Sequence, residues 1–277
     1  MADRVVVTAP AKVNLVLRVG PPRTDGFHPV ASLLVALDGL ADTLDLTRSS
    51  RRELACPGGP AGAANLAWRA ADALETEVGR PLPARIAIEK QIPMQAGLGG
   101  GSSDAAAVLV GLDRLYGLGT PPETLERIAA GLGSDVPFFV RGGTQWATGR
   151  GERLVPRPVP DDLWLVICGP VAPLATGAVY AAFDALGAAA EIDPDPPEGS
   201  WAAPGFVAND LWPAARRLAP QLADAADRLT AAGAQTVLLC GSGGAIAGLW
   251  HQRAAAVAAA ARLTDAIAVA SPRHGGP

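Results

Sequence analysis

The chain of 277 residues lacks several features that would commit it to a particular setting. Its cysteines do not come in the paired short spacings of a zinc site; Cys56, Cys168 and Cys240 are odd in number and far apart, which suits free thiols in a reducing cytosol. It has no excess of positive charge. A formal net charge of -4 argues against a broad nucleic-acid face, which must release counterions to bind. A small anion stays open, because backbone N–H groups and one or two local cations can hold it whatever the total charge. There is no apolar run of membrane-spanning length: the alanine-rich stretch Ala254 to Ala261 is bounded by arginines and too short. "MADRVVVTAPAKVNL" carries acid and base early and lacks the apolar core of a signal peptide. No segment repeats. The expectation is a cytoplasmic protein with neither nucleic acid nor membrane as partner and an open oligomeric state.

What is present is the balance of a folded protein, 49% hydrophobic and 18% charged, with enough chain for one large domain or two ordinary ones. "RVVVTAPAKVNLVLRVG" predicts two short strands or one strand bent at Pro10, and the stretch after His28 continues extended. Asn65 to Val78 places Leu66, Ala70, Ala73, Leu74 and Val78 at helical spacing. "ARIAIEKQIP" then reads as a strand entering a run of glycines. After that run a helix is expected to Gly117, capped by Ser102 or Ser103 with Asp104 in its first turn. Thr120 and Glu123 form a capping-box pattern around Pro121 for a further helix to about Gly131. Beyond it come a buried strand in "LWLVICGP", a helix in "ATGAVYAAFDALGAA", an irregular acidic loop, a strand–glycine turn–strand in "TVLLCGSGGAIAGLW", an alanine-rich helix and a frayed tail. Without a steady βαβ alternation the fold class is α+β. The composition shift between Gly151 and Pro160 divides it into residues 1–150 and 151–277.

"PMQAGLGGGSSDAA" is the stretch with chemistry in it. A strand, glycines and a helix N-terminus together make a phosphate cradle: glycine lets the backbone approach an anion, and unpaired N–H groups and the helix dipole bind it. The Walker pattern is absent, since no lysine precedes a serine or threonine after the last glycine, and the dinucleotide pattern fails at Ser102. A plain strand-to-helix turn is the alternative that composition alone leaves open. Ser102 and Ser103 can donate to phosphate or stand beside Mg²⁺, and Lys90 offers a cation.

This loop resembles the ATP-phosphate loop of the GHMP kinases, and "APAKVNLVLRV", "RTDGFHPV", "GLGSDVPFFVRGGTQWATGRGERL" and "LLCGSGGAIAGLW" resemble further signatures of that family in the expected order. The resemblance implies a two-lobed α+β fold. Its N-terminal lobe would be like ribosomal protein S5 domain 2 and its C-terminal lobe a ferredoxin-like plait, with both substrates in the cleft between. It also implies ATP as donor, with Mg²⁺, and an acceptor that is a cytidyl-diphosphate polyol. Asp135 and Lys12 map onto the family's catalytic aspartate and lysine, although alone they would read as a turn cap and a solvent-facing strand lysine. Pro93, Met94, Gln95, Ala96, Gly97, Leu98, Gly99, Gly100, Gly101, Ser102 and Ser103 would wrap the ATP phosphates. Lys90 and Asn65 fall near adenine or ribose, Asn65 having a helix N-cap as its other reading. Asn14, Phe27 and His28 would meet the cytidyl group, and Tyr180 would be a second stacking aromatic or a core tyrosine. Gly241, Ser242 and Gly243 would close over the acceptor, in a motif altered at Cys240, Gly244 and Ala245. No residue is assigned as a metal ligand.

Overall fold

The computed structural model describes residues 3–158, 160, 162–187, 189–196 and 199–273. It starts with a long antiparallel ribbon of β1 (Arg4–Val19) and β2 (Val30–Arg48), running from Arg4 opposite Thr47 to Val19 opposite Val30. The N-terminal segment is thus one bent strand. Its register slips between Pro10 and Lys12 and again between Asn14 and Val16, irregularities that re-aim the side chains beside them. Those side chains, Lys12 and Asn14, prove to face the cleft.

β3 (Glu53–Ala55) and β4 (Ala84–Glu89) extend the second half of β2, and α1 (Leu66–Val78), α2 (Gly100–Tyr116), α3 (Pro122–Leu132) and α4 (Val136–Arg141) cover that sheet. β5 (Thr144–Thr148) pairs with the first half of β2 and forms a hairpin with β6 (Arg153–Pro156). The chain leaves the first sheet after Pro156, inside the stretch from Gly151 to Pro160 where the boundary was expected. Then follow β7 (Trp164–Cys168), α5 (Thr176–Ala185), β8 (Ala208–Asn209), α6 (Trp212–Leu218) and α7 (Gln221–Ala231). β9 (Thr236–Leu239), β10 (Ile246–Trp250), α8 (Arg253–Ala260) and β11 (Ala266–Pro272) complete the chain. β11 joins the halves, pairing with β7 along most of its length and with Leu37 and Asp38 of β2 at its end.

Strand periodicity distributes the apolar residues over three cores, because successive side chains point to opposite faces. Leu34 and Ala36 pack with Val108 and Leu112 under the first helices, while Leu33 and Val35 meet Leu165, Ile167, Ala247 and Leu249 in a central core. Val166, Cys168 and Ile246 face the opposite way, onto Phe183, Leu222 and Leu229. Each fully buried leucine contributes about 2 kcal/mol, so both lobes have substantial cores of their own. No helix among the described residues is long and apolar enough to cross a membrane.

Three local expectations are corrected. α2 starts at Gly100 with Gly99 as its N-cap in the left-handed region (φ 77°), so neither serine caps it. α3 starts at Pro122 and the Thr120 capping box does not form; the Thr120 N–H instead bonds Asp113 Oδ1 at 2.8 Å, tied to the end of α2. Ser271 and Pro272, expected to fray, belong to β11, whereas residues 274–277 lie outside the described residues.

Candidate active site

The glycine loop is a wall shared by two cavities. The larger, about 780 Å³, is lined on its far side by Lys12, Asn14, Phe27, His28, Asp135 and Tyr180; the smaller, about 260 Å³, by Asn65, Lys90, Pro93 and Met94. Gln95, Gly97, Gly99, Gly100 and Gly101 border both. Ala96 and Leu98 between them are buried and pack into the central core, so the loop is pinned at alternate residues while its glycines border the cavities. Gln95 reaches φ 56° without being glycine, a conformation that costs about 1–2 kcal/mol and holds the turn into the loop.

The glycines are required by close packing as well as by conformation. A Cβ on Gly97 (φ 77°) would overlap the carbonyl oxygen of Cys240, and one on Gly244 that of Gln95. The Ala245 N–H donates to the Ala96 carbonyl at 3.0 Å and the Lys12 N–H to the Leu98 carbonyl at 3.0 Å. The turn at 240–244 therefore braces the glycine loop directly, with Gly241 and Ser242 also on the wall of the larger cavity. Gly97→Ala is expected to lower stability by about 2 kcal/mol or more. Gly101→Ala, where the nearest atom is Leu66 Cδ1 at 3.9 Å, is expected to leave the melting temperature unchanged or higher. Equal melting temperatures for the two variants would refute the bracing.

Ser103 N–H bonds the Gly99 carbonyl at 2.9 Å, so the N–H groups of Gly100, Gly101 and Ser102 are those the helix leaves without an internal acceptor. The Ser103 hydroxyl is buried and donates to the Pro10 carbonyl at 2.8 Å, so its proton is committed inside the fold. Ser102 keeps its place on the cavity wall. An anion here would meet three N–H groups, one hydroxyl and the positive end of α2.

The chain has two lysines, and both are built into this site. Lys12 is 4% exposed; its Nζ donates to Asn14 Oδ1 at 2.8 Å and lies 3.5 Å from Asp135 Oδ2. Asp135 stands at the start of α4 but makes no side-chain cap, which leaves its carboxylate to Lys12 and the cavity. Asn14 Nδ2 donates to Ser32 Oγ at 2.8 Å, and Ser32 to the Val16 carbonyl at 2.7 Å. Asn14, expected to meet the cytidyl group, lines the larger cavity while its Oδ1 holds Lys12 and its Nδ2 is held by Ser32.

Lys90, expected near adenine or ribose, has its ammonium between Asp42 Oδ2 (2.5 Å) and Asp104 Oδ2 (2.7 Å) while its chain lines the smaller cavity. Asp42 also accepts from the N–H groups of Gln91 and Ile92 at 2.6 and 2.8 Å. The triad thus ties β2 to both ends of the glycine loop. Burial, together with the charge of Asp42 and against the pull of Lys90, pushes the Asp104 carboxyl up to about 7. Asn65 is the N-cap of α1, accepting from the Ala67 N–H at 2.9 Å and donating to the Pro60 carbonyl at 3.0 Å.

At the other end of the larger cavity His28 is nearly buried. Its Nδ1 lies 2.8 Å from the Gly20 carbonyl, which can only accept, so Nδ1 carries the hydrogen and Nε2 points to Asp184, 3.4 Å away. The His28 ring sits 5.2 Å from that of Tyr180, tilted by 44°. Burial pushes the Tyr180 hydroxyl up to about 12. Phe27 is half exposed, with Arg150 over its ring. Asp184, Asp42 and Arg150 were not singled out by sequence. Asp184 carried a signal, four residues after Tyr180 on one helix face; Asp42 had none, since its partners are 48 or more residues away.

An anion on the glycine loop would face the Lys12 ammonium and the Asp135 carboxylate paired with it across the larger cavity, with an aromatic and histidine cluster beyond. That arrangement suits phosphoryl transfer to a hydroxyl, in which a base accepts or orients the proton and a cation offsets developing charge.

Comparison with known proteins agrees. Residues 65–143 match the GHMP kinases N terminal domain. The chain is 42% identical over 273 residues to a 4-diphosphocytidyl-2-C-methyl-D-erythritol kinase of Anaeromyxobacter sp. (strain Fw109-5), covering 95% of this chain and 88% of that one. It is 40% identical over 274 residues to the enzyme of that name from Moorella thermoacetica, covering 94% and 95%. A crystal structure of 4-(cytidine 5'-diphospho)-2C-methyl-D-erythritol kinase superposes with a TM-score of 0.80 at 36% identity, covering 97% of this chain and 100% of that one. Identity at this level, sustained over nearly the whole length and through the same fold, means that the chain belongs to the GHMP kinases and, within them, to the 4-diphosphocytidyl-2-C-methyl-D-erythritol kinase family.

Proposed function

We propose that the chain transfers the γ-phosphoryl group of ATP to the 2-hydroxyl of 4-diphosphocytidyl-2-C-methyl-D-erythritol. The products are the 2-phosphate and ADP, in the non-mevalonate route to isoprenoid precursors. The observation that carries this reading is the position of Lys12 and Asp135, 3.5 Å apart in one cavity, between the glycine loop and the His28–Tyr180 cluster.

In this reading ATP lies with its adenosine in the smaller cavity, beside the exposed Met94 and the Asn65 helix end, and its phosphates along Gln95 to Ser102. The acceptor lies in the larger cavity with cytosine against Phe27 and Tyr180, its edge toward His28 Nε2. Asp135 orients the 2-hydroxyl and takes its proton as the bond to phosphorus forms, and the bond from phosphorus to the β–γ bridging oxygen breaks with ADP leaving. Lys12, held by Asn14, stabilises charge on the transferring group. A magnesium ion accompanying the nucleotide would offset phosphate charge, and Ser102 is the hydroxyl this chain would offer it. Residues 1–150 supply the donor loop and the catalytic pair, and residues 151–277 supply Tyr180 and the bracing turn.

Parallel ADP-release assays with the cytidyl acceptor, homoserine and mevalonate test the reading. Turnover is expected with the first alone. Turnover on homoserine or mevalonate instead would overturn the substrate, and ATP binding without acceptor-dependent ADP release would make the chain a nucleotide-binding relative without kinase activity. The aromatic and histidine cluster favours the first outcome, because a planar base needs faces to stack on and an amino acid or mevalonate does not.

A further inference from the structure

We propose that Arg150 binds the diphosphate of the acceptor; the proposal rests on the reading of the acceptor given above. That acceptor has three parts in fixed order: a cytidine, two phosphates, and the polyol bearing the reacting hydroxyl. The aromatic cluster and the Lys12–Asp135 pair account for its two ends, and nothing so far faces the charge in the middle. Lys12 is committed to Asp135 and Asn14. Lys90 is committed to Asp42 and Asp104 at the loop's ends.

Arg150 occupies the middle. It sits at the tip of the β5–β6 hairpin between Gly149 (φ 76°) and Gly151 (φ 112°), and the tip is anchored to β2 by the Val30 N–H on the Gly149 carbonyl at 2.8 Å. On one side its guanidinium lies 4.8 Å from the centroid of the Phe27 ring. On the other, Gly151 packs beside Ser134, the neighbour of Asp135; a Cβ built on Gly151 would lie 3.7 Å from Ser134 Cβ. The hairpin tip therefore spans from the base end of the cavity to its reacting end, and Phe27, Ser134, Asp135 and Arg150 all line the same space.

The chemistry of the residue fits the place. Among the described residues no carboxylate pairs with the Arg150 guanidinium, whose recorded neighbour is an aromatic face. A guanidinium over a half-exposed ring is weakly held and keeps all five N–H donors available, and its planar fork matches two phosphate oxygens. Phe27 thus keeps the cation at the mouth of the cavity, where a pyrimidine stacking on that ring brings its own diphosphate within reach.

The test compares wild type with Arg150→Gln and Arg150→Lys in steady-state kinetics, and in calorimetric titrations with CDP and with cytidine. Arg150→Gln is expected to raise the acceptor KM about tenfold, the scale of one charge-assisted pair, with the loss falling on KM rather than kcat and the KM for ATP unmoved. Arg150→Lys recovers part of it. CDP affinity is expected to fall by about the same factor while cytidine affinity stays within about twofold, because only CDP carries the diphosphate. Equal losses for CDP and cytidine, or a raised KM for ATP, would mean that Arg150 merely supports the hairpin and overturn the proposal. An unchanged acceptor KM would overturn it too. Failure of wild type to phosphorylate the acceptor defeats the substrate assignment instead, and the CDP-versus-cytidine difference then decides the diphosphate site separately.

Discussion

Asp135→Asn is expected to reduce kcat by about a thousandfold, the loss typical of removing a positioned general base, with little change in the KM for ATP. The isosteric amide cannot take the hydroxyl proton, and it withdraws the negative charge from the cation that faces the transferring group. Folding is expected to survive, because the Asp135 side chain caps nothing and Lys12 Nζ keeps Asn14 Oδ1 as an acceptor at 2.8 Å. Melting temperature and ATP affinity measured on the same preparation separate loss of chemistry from loss of fold. A kcat within tenfold of wild type would remove Asp135 from the reaction.

Lys90→Met is expected to be the most destabilising change near the site, by about 3–5 kcal/mol at pH 8, because it leaves two buried carboxylates facing each other without their cation. Asp42 is fully buried and Asp104 3% exposed, so water does little to relieve them. The loss depends on pH. In the wild-type fold the Asp104 carboxyl titrates at about 7, against about 4 for an unfolded chain, so between those values the native state holds the extra proton. This group's contribution therefore falls as pH rises from 4 to 7 and levels off above. Without Lys90 the carboxyl is pushed higher still. The deficit of Lys90→Met should then be small at pH 5.5, where Asp104 is protonated and can donate to Asp42, and large at pH 8.5. Adding Asp104→Asn should restore most of the loss, since Asp42 keeps the Gln91 and Ile92 N–H groups. Equal deficits at both pH values in denaturant melts would show that the triad carries no such electrostatic load.

These two results rest on the two lysines, and the chain makes them legible to different degrees. Lys12 and Asp135 are 123 residues apart, and their pairing follows only from resemblance to kinases whose motifs recur in the same order. By local pattern each looks ordinary. Lys90 reads locally as a cation free for nucleotide, because the carboxylates that engage it come from β2 and from α2, brought together by the β2–β4 ladder. Ser103 misleads in the same way: its hydroxyl looks available until β1 brings the Pro10 carbonyl against α2.

What the sequence determined by itself is what short range controls. Strand and helix periods, the helix end at Gly117 and the Asn65 cap depend on residues within a few positions of one another. The family, too, was legible from motif order. Tertiary structure alone decided which polar groups are spent and which are free, since each long-range hydrogen bond removes a donor from the cleft. It committed Asn14 to Lys12 and Lys90 to two aspartates, turned the 240–244 turn onto the donor loop, and left Arg150 at the hairpin tip with an aromatic ring as its neighbour.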